Sequence, residues 1–473
     1  MVGLEVHVEL ATGSKMFCSC PTDFGAPPNT QVCPVCLALP GSLPVPNQRA
    51  IDFALRAALA LGCRIDADCR WDRKNYHYPD LPKGYQITQY ARPLARDGRL
   101  GFSGPGGPRR EVRIRRLHME EDTGKSLHEG LSGGTTGVDL NRAGVPLIEI
   151  VSEPDIAGPE DARLYLQALR TLLLYTGVSD VRMEEGSLRC DANISLAPAG
   201  SDELGTLVEI KNMNSFRSVQ RALEFEERRQ AEALGAGGRI VRETRHWDER
   251  RGVTFSSRSK EEAHDYRYFP EPDLGPVALS PERIAAGRAD LPELPAARQA
   301  RYEALGLAAG DAAVIVAEPA LARYFDRMLE AGAAPRDGAA LLSVELLGRL
   351  NAQGAGVDGP DCRVRPEQLA ALQRLVAAGR LSGKMAKDVL DDMVARGADP
   401  EAVVRERGLE QISDESAIRD AVRAAIAANP QSVADYRAGK KQAAGFLVGQ
   451  VMKATKGQAN PGLVNRLLGQ ELG

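Results

Sequence analysis

The sequence predicts an α+β protein with a strand-rich first half and a helical second half. Several segments in the first 280 or so residues alternate apolar and polar side chains with period two, the mark of half-buried strands. From about Pro292 the composition turns to Ala, Leu, Arg and Glu at helical spacing, broken by Gly and Pro. At 473 residues the chain exceeds one ordinary core, so two to four domains are expected. With 43% hydrophobic and 26% charged residues it reads as a soluble globular protein. No apolar run approaches the roughly 20 residues of a membrane span, so no membrane partner is expected. Patterned sequence follows Met1 at once, so no signal or transit peptide is expected and the cytoplasm is the expected compartment.

Residues 2–10, VGLEVHVEL, form the first expected strand. Val2, Leu4, Val6, Val8 and Leu10 share one face, and Glu5, His7 and Glu9 share the other. Same-face neighbours lie roughly 7 Å apart, so Glu5 and His7 can approach one ion, although an exposed edge strand has the same pattern. Cys18, Cys20, Cys33 and Cys36 follow in the frame C-x-C-x12-C-x2-C. Two close thiol pairs across a proline-stiffened loop match a tetrahedral structural zinc site, a knuckle over residues 18–36 with no ligand position left open. The other cysteines, Cys63, Cys69, Cys190 and Cys362, are scattered and read as small buried hydrophobes rather than disulfides.

A helix is expected over 48–61, with Ile51, Leu55, Ala58 and Leu61 on one face. Residues 71–90, WDRKNYHYPDLPKGYQITQY, are dense in aromatics and cations. Arg73, Lys74 and Lys83 suit phosphates, and Tyr76, Tyr78 and Tyr85 suit a base or terminal adenosine; packing of a stiff loop explains the tyrosines equally well.

After a strand over 111–117, with a bulge near Arg115–Arg116, comes LHMEEDTGKS. Its consecutive Glu120, Glu121 and Asp122 repel one another and call for a cation, magnesium or calcium by ligand type. The following GKS is no P-loop, because Met119 stands where that motif needs glycine. An isolated EED is more often a solvated acidic turn; the rest of the chain argues against that here. Residues 130–137 read as a glycine-rich turn, 145–151 as a buried apolar strand, and 187–196 as an alternating strand. In the last of these, Arg189, Asp191 and Asn193 share a face, as Glu209 and Lys211 do in the next strand. Strands that each offer acids or amides on one face point to a sheet with a polar, ion-binding side. A long helix is expected over 214–232, and DYRYFPEPDL ends the strand-rich half.

Net charge is −4, which excludes a generic nucleic-acid sponge. From Asn429 onward, however, Arg437, Lys440, Lys441, Lys453, Lys456 and Arg466 oppose Asp435 and Glu471, a net +4 on a body of −8. That suggests one docking site for a polyanion.

VGLEVHVEL, the four cysteines, DRKNYHYPDLPKGYQITQY, LHMEEDTGKS, NRAGVPLIEIVSEPD, GSLRCDANIS, EIKNMNSF, HDYRYFPEPDL and GFLVGQVMKATKGQANP occur in that order. As a set, over essentially the whole chain, they resemble the B-subunit family of bacterial aspartyl/glutamyl-tRNA amidotransferases. His77 stands where the family pattern suggests an aromatic such as Phe. The resemblance implies a largely antiparallel-sheet cradle (1–291), a helical domain (292–399) and a YqeY-like tRNA-binding tail (400–473). It implies an ATP-dependent, glutamine-hydrolysing amidotransferase that phosphorylates the side-chain carboxylate of misacylated Glu-tRNA(Gln) or Asp-tRNA(Asn), after which ammonia forms the amide. An A subunit, the glutaminase, and a C subunit are the implied partners. The implied magnesium ligands are Glu5, His7 and Glu121, with Asp191 a further ligand and Glu120 and Glu9 close candidates. Lys74 and Lys211 are the expected phosphate contacts for ATP or substrate, and Lys440, Lys441, Lys453 and Lys456 the expected tRNA contacts. A non-enzymatic RNA-binding scaffold and a two-metal nuclease are the competing classes, separated by ATP hydrolysis that depends on misacylated tRNA.

Overall fold

In the computed structural model the chain divides into two compact units, Met1–Ala297 and Arg298–Gly473. The structure describes residues 1–104, 107–127, 135–198, 200–201, 203–259, 265–409, 414–437, 440, 442–455 and 458–472.

The first unit is built on a nine-stranded sheet. Its spatial order is Val253–Ser259, Glu243–Asp248, Val208–Lys211, Leu188–Ile194, Val2–Glu9, Pro146–Ser152, Arg110–Glu121, Ala95–Phe102 and Arg64–Ile65. Every neighbouring pair runs antiparallel except Val208–Lys211 with Glu243–Asp248. The N-terminal strand lies at the centre because its apolar residues need partners on both edges. Val6 pairs with Ile150 on one side and Cys190 on the other.

One face of the sheet is core. Val2, Leu4, Val6, Val8, Leu117, Met119, Ile148, Ile150, Cys190 and Ala192 bury there in one cluster with apolar residues of helices Gln48–Ala60, Pro159–Thr176 and Phe216–Gly235. The helix starts follow local chemistry. Asn47 accepts from the amides of Arg49 and Ala50, and Ser215 from that of Ser218, satisfying otherwise orphan donors. Gly177 ends the second helix at φ 66°, a left-handed conformation that suits glycine.

The strand expected to stop at Leu117 instead runs unbroken over Arg110–Glu121. Its expected bulge is present: Val151 opposes Arg116 while Ser152 opposes Ile114, leaving Arg115 as the extra residue. Of the glycine-rich turn expected over 130–137, residues 130–134 lie outside the described residues. A second, three-stranded sheet of Asp72–Asn75, Tyr85–Thr88 and Phe269–Pro270 carries the aromatic segment. Beside it Trp71 is buried edge-on against Phe17 at 5.3 Å.

The second unit is helical. Pro319, Pro335, Pro366 and Pro400 open helices Pro319–Glu330, Pro335–Ala340, Pro366–Ala377 and Pro400–Arg407, where the missing proline N–H costs nothing. Glu415–Ala428, Pro430–Arg437, Gln442–Ala454 and Pro461–Leu472 enclose a separate apolar cluster that includes Ile418, Val422, Leu447, Val451, Val464 and Leu467. Among the described residues no helix is long and apolar enough to cross a membrane.

Candidate active site on the polar face of the sheet

Register assembles the site. His118, Glu149, His7 and Arg189 lie directly across four adjacent strands, all on the face opposite the core. Two residues along the central strand, Glu5 opposes Asp191; beyond it Asn193 opposes Glu209. Side chains of directly opposed residues approach to about 5 Å at Cβ, so strands far apart in sequence place their acids together.

His7 Nε2 lies 3.5 Å from Glu120 Oε1 and 3.6 Å from Glu149 Oε2. One ligand atom from each of His7, Glu120 and Glu149 falls within 4.8 Å of the others. His118, 2% exposed, approaches Glu149 Oε2 at 3.1 Å and Glu120 Oε2 at 3.7 Å. Burial alone would push the His118 imidazole down; Glu149 and Glu120 outweigh it and raise its pKa to about 9. Glu149 is held low in turn: burial opposes, but His118, His7 and Lys74 prevail. Two carboxylates and an imidazole at this spacing fit a divalent cation. The carboxylates suit a hard ion; the imidazole is the less typical ligand.

Glu5 sits beside this group. Burial raises its pKa, and Glu149 and Asp191 add to that, while Asn193 donates to Glu5 Oε1 at 2.9 Å. Lys211 pairs with Asp191 and lies 3.2 Å from Glu209. Burial works against its ammonium, yet Asp191 and then Glu209 raise its pKa. On the other flank Glu9 meets Asp122. Burial first and Asp122 second push Glu9 up to about 8, while Arg189, 2.8 Å from Asp122, and Arg142, at 3.4 Å, hold Asp122 ionised.

Of the expected group of Glu5, His7, Glu121 and Asp191, only His7 belongs to the close cluster, with Glu120 and Glu149; Glu5 and Asp191 oppose each other on the same face beside it, and Glu121 is absent from that face. Because the strand continues through it, Glu121 has the parity of Leu117 and Met119, and Glu120 that of His118. The Glu121 carboxylate accepts from the Ile87 amide at 3.0 Å and pairs with Lys83. From the acidic stretch, Glu120 and Asp122 face the site.

Lys74 lies against the rings of Tyr266 (4.9 Å) and Tyr76 (5.9 Å), within electrostatic reach of Glu149. Arg73 is committed elsewhere, bound bidentately to Glu271 at 2.6 and 2.9 Å. Lys440 is exposed and 3.1 Å from Asp435, and Lys453 is exposed near the end of its helix. Lys441 and Lys456 lie outside the described residues.

The sulfurs of Cys18, Cys20, Cys33 and Cys36 all lie within 4.8 Å of one another. The Cys33 amide donates to Cys36 Sγ at 3.1 Å, and the hydrogen bond from Cys18, with Lys15 contributing, brings the Cys36 thiol down to about 4. Four thiols so gathered fit a closed tetrahedral zinc site. Lys15, fully buried, donates to the carbonyls of Gln31 (2.8 Å) and Leu140 (3.2 Å), tying the knuckle to the chain before the Pro146 strand.

Sequence reasoning passed over His118 and Glu149. Glu149 had a signal: a lone acid inside the apolar run VPLIEIV has no reason to be there unless something pairs with it.

Comparison with known proteins identifies the family. The GatB/GatE catalytic domain family matches residues 1–285, and the family described as GatB domain (GatB_Yqey) matches 323–472. The chain is 53% identical over 473 residues to the B subunit of the aspartyl/glutamyl-tRNA(Asn/Gln) amidotransferase from Brevibacillus brevis, covering 100% of this chain and 98% of that one. It is 54% identical over 475 residues to the protein of the same name from Carboxydothermus hydrogenoformans, covering 100% and 98%. The Moorella thermoacetica protein of that name is 54% identical over 474 residues, covering 100% and 99%. With matches of this length and identity, the chain belongs to the GatB/GatE family.

Proposed function

We propose that this chain is the B subunit of a tRNA-dependent amidotransferase. It uses ATP to phosphorylate the side-chain carboxylate of Glu or Asp misattached to tRNA, and glutamine-derived ammonia then displaces the phosphate to form the amide. A free carboxylate is a poor acyl donor, and phosphorylation supplies its leaving group. Such a transfer depends on positioning and charge neutralisation. His7, Glu120 and Glu149, with Glu5 and Asp191 beside them, are the residues that would hold magnesium. Bound there, magnesium would offset the charge of the transferring phosphoryl group. Lys74 and Lys211 are the residues that would meet phosphate oxygens in this reading. Lys74 is held between two tyrosines and Lys211 between two acids. His118, charged at neutral pH, orients Glu149 and Glu120.

Cys18, Cys20, Cys33 and Cys36 hold structural zinc in this reading. A glutaminase A subunit supplies ammonia and a C subunit completes a cytoplasmic complex. Residues 1–291 form the catalytic domain, 292–399 a helical domain, and 400–473 the tRNA-binding tail in this reading. The single observation that carries the proposal is the convergence of His7, Glu120 and Glu149 on one polar sheet face beside Glu5 and Asp191. The test is ATP cleavage and amide formation by the complex reconstituted with its A and C subunits, with Glu-tRNA(Gln) and Asp-tRNA(Asn) assayed separately. ATP turnover should require the misacylated tRNA. RNA cleavage without ATP would instead mark a nuclease.

A further inference from the structure

Tyr90 is 51% exposed, an unusual setting for a tyrosine whose backbone is so firmly tied. The buried Asp72 carboxylate accepts from the amides of Tyr90 (2.7 Å) and Ala91 (3.0 Å). The fully buried Gln89 accepts through Oε1 from the amides of Leu94 (3.2 Å) and Met119 (3.0 Å), fixing the same turn to the Arg110–Glu121 strand. One face of the Tyr90 ring stacks on Tyr268, centroids 4.1 Å apart and planes 10° from parallel. With that face covered, the exposure of the ring comes from its edges and its other face. The Arg116 guanidinium lies over the Tyr90 ring, its carbon 5.8 Å from the centroid.

The stack leads inward. Tyr268 meets Tyr266 edge-on at 6.1 Å, Tyr266 meets Tyr76 at 6.3 Å, and Lys74 lies against both of these. The Tyr268 hydroxyl, raised by burial and Tyr266, also feels the charges of Glu149 and Glu120. An aromatic ledge, held rigid from beneath, thus runs from solvent to the acidic group.

We infer that Tyr90, backed by Tyr268, is a stacking ledge for the unpaired terminal base of the tRNA acceptor strand. The inference rests on the function proposed above. An open, one-sided aromatic face suits a base arriving at the end of a strand, because stacking there tolerates any base and leaves the strand free to enter from solvent. Preorganisation by Asp72 and Gln89 removes the ordering cost of such a ledge. Arg116 adds a cation on the polar face beside it, suited to the phosphate before the last nucleoside.

The test measures binding of the complete heterotrimer to two RNAs, a full-length tRNA(Gln) transcript and the same transcript lacking its terminal adenosine. Base–aromatic stacking of about 1–3 kcal/mol corresponds to roughly 5- to 150-fold in affinity. Wild type should lose affinity in that range on truncation of the RNA. Tyr90→Ala should bind full-length tRNA that much more weakly and be indifferent to truncation, while Tyr90→Phe, which keeps the ring, should remain sensitive. If Tyr90→Ala stays as sensitive as wild type, the ledge is refuted. A raised KM for ATP in Tyr90→Ala, with tRNA affinity unmoved, would also overturn it, since the adenine stacked there would be that of ATP. A wild-type complex that ignores the terminal adenosine overturns the ledge alone. Its ATP turnover with misacylated tRNA still reports separately on the parent function.

Discussion

Glu120 and Glu121 are adjacent, identical in chemistry and both buried, and the strand that carries them should make their substitutions behave differently. Glutamine preserves shape and removes one charge. At Glu120 the lost charge faces His7 Nε2 at 3.5 Å, in the group that would hold magnesium. A bound magnesium would be worth several kcal/mol to a phosphoryl-transfer barrier, and a weakened ligand set would forfeit much of that. At 1.36 kcal/mol per tenfold, Glu120→Gln should therefore slow misacylated-tRNA-dependent ATP turnover by roughly 10²- to 10³-fold. At Glu121 the lost charge faces Lys83, whose side chain is only 14% exposed. A glutamine oxygen can still accept from the Ile87 amide, but the ammonium is left in a partly buried site without its partner. Stranding a buried polar group costs roughly 1–3 kcal/mol. Glu121→Gln should thus lower the unfolding midpoint of the first unit by several degrees and leave ATP turnover within a few-fold of wild type, measured below that midpoint. The assay is ATP turnover in the reconstituted complex at saturating magnesium, paired with thermal unfolding of the isolated chain. The opposite pattern, with full turnover in Glu120→Gln and a 10²-fold loss in a stably folded Glu121→Gln, would refute the strand-parity reasoning.

Cys33→Ser should lose zinc, measured by elemental analysis, and destabilise the first unit; a full equivalent of metal in that variant would remove the zinc assignment. Deleting residues from Asp414 onward removes all four tail helices together, whereas a cut at Asn429 would expose Ile418, Val422 and Ala425. The Asp414 deletion should weaken tRNA binding and flatten its salt dependence without changing zinc content; unchanged affinity would make the basic tail an ordinary solvated surface. In metal-free protein His118 should titrate near 9 by NMR, and Glu149→Gln should bring that value down. Because the folded-state pKa is raised from 6.5, the ion pair's contribution to stability is complete below about pH 6.5 and lost as pH rises through about 9. Unfolding free energy that is flat over that window would contradict the charged His118.

Local pattern alone determined much of this protein. Alternation in VGLEVHVEL separates Glu5, His7 and Glu9 from the core, and alternation in LRCDANI does the same for Arg189 and Asp191, because side-chain direction in a strand follows parity whatever its partners are. The cysteine spacing likewise foretold four sulfurs in one cluster, since short loops leave two close pairs few other arrangements. What lay beyond the sequence was non-local. Whether the acidic stretch is a turn or a strand decides between Glu120 and Glu121, and that depends on Pro146–Ser152 pairing with it through Glu121. Glu149 joins the site only because its strand lies between those of His7 and His118, in a register set by apolar residues on the opposite face. Long-range strand pairing is chosen by burial summed over the whole sheet, and no segment of the chain carries that sum by itself.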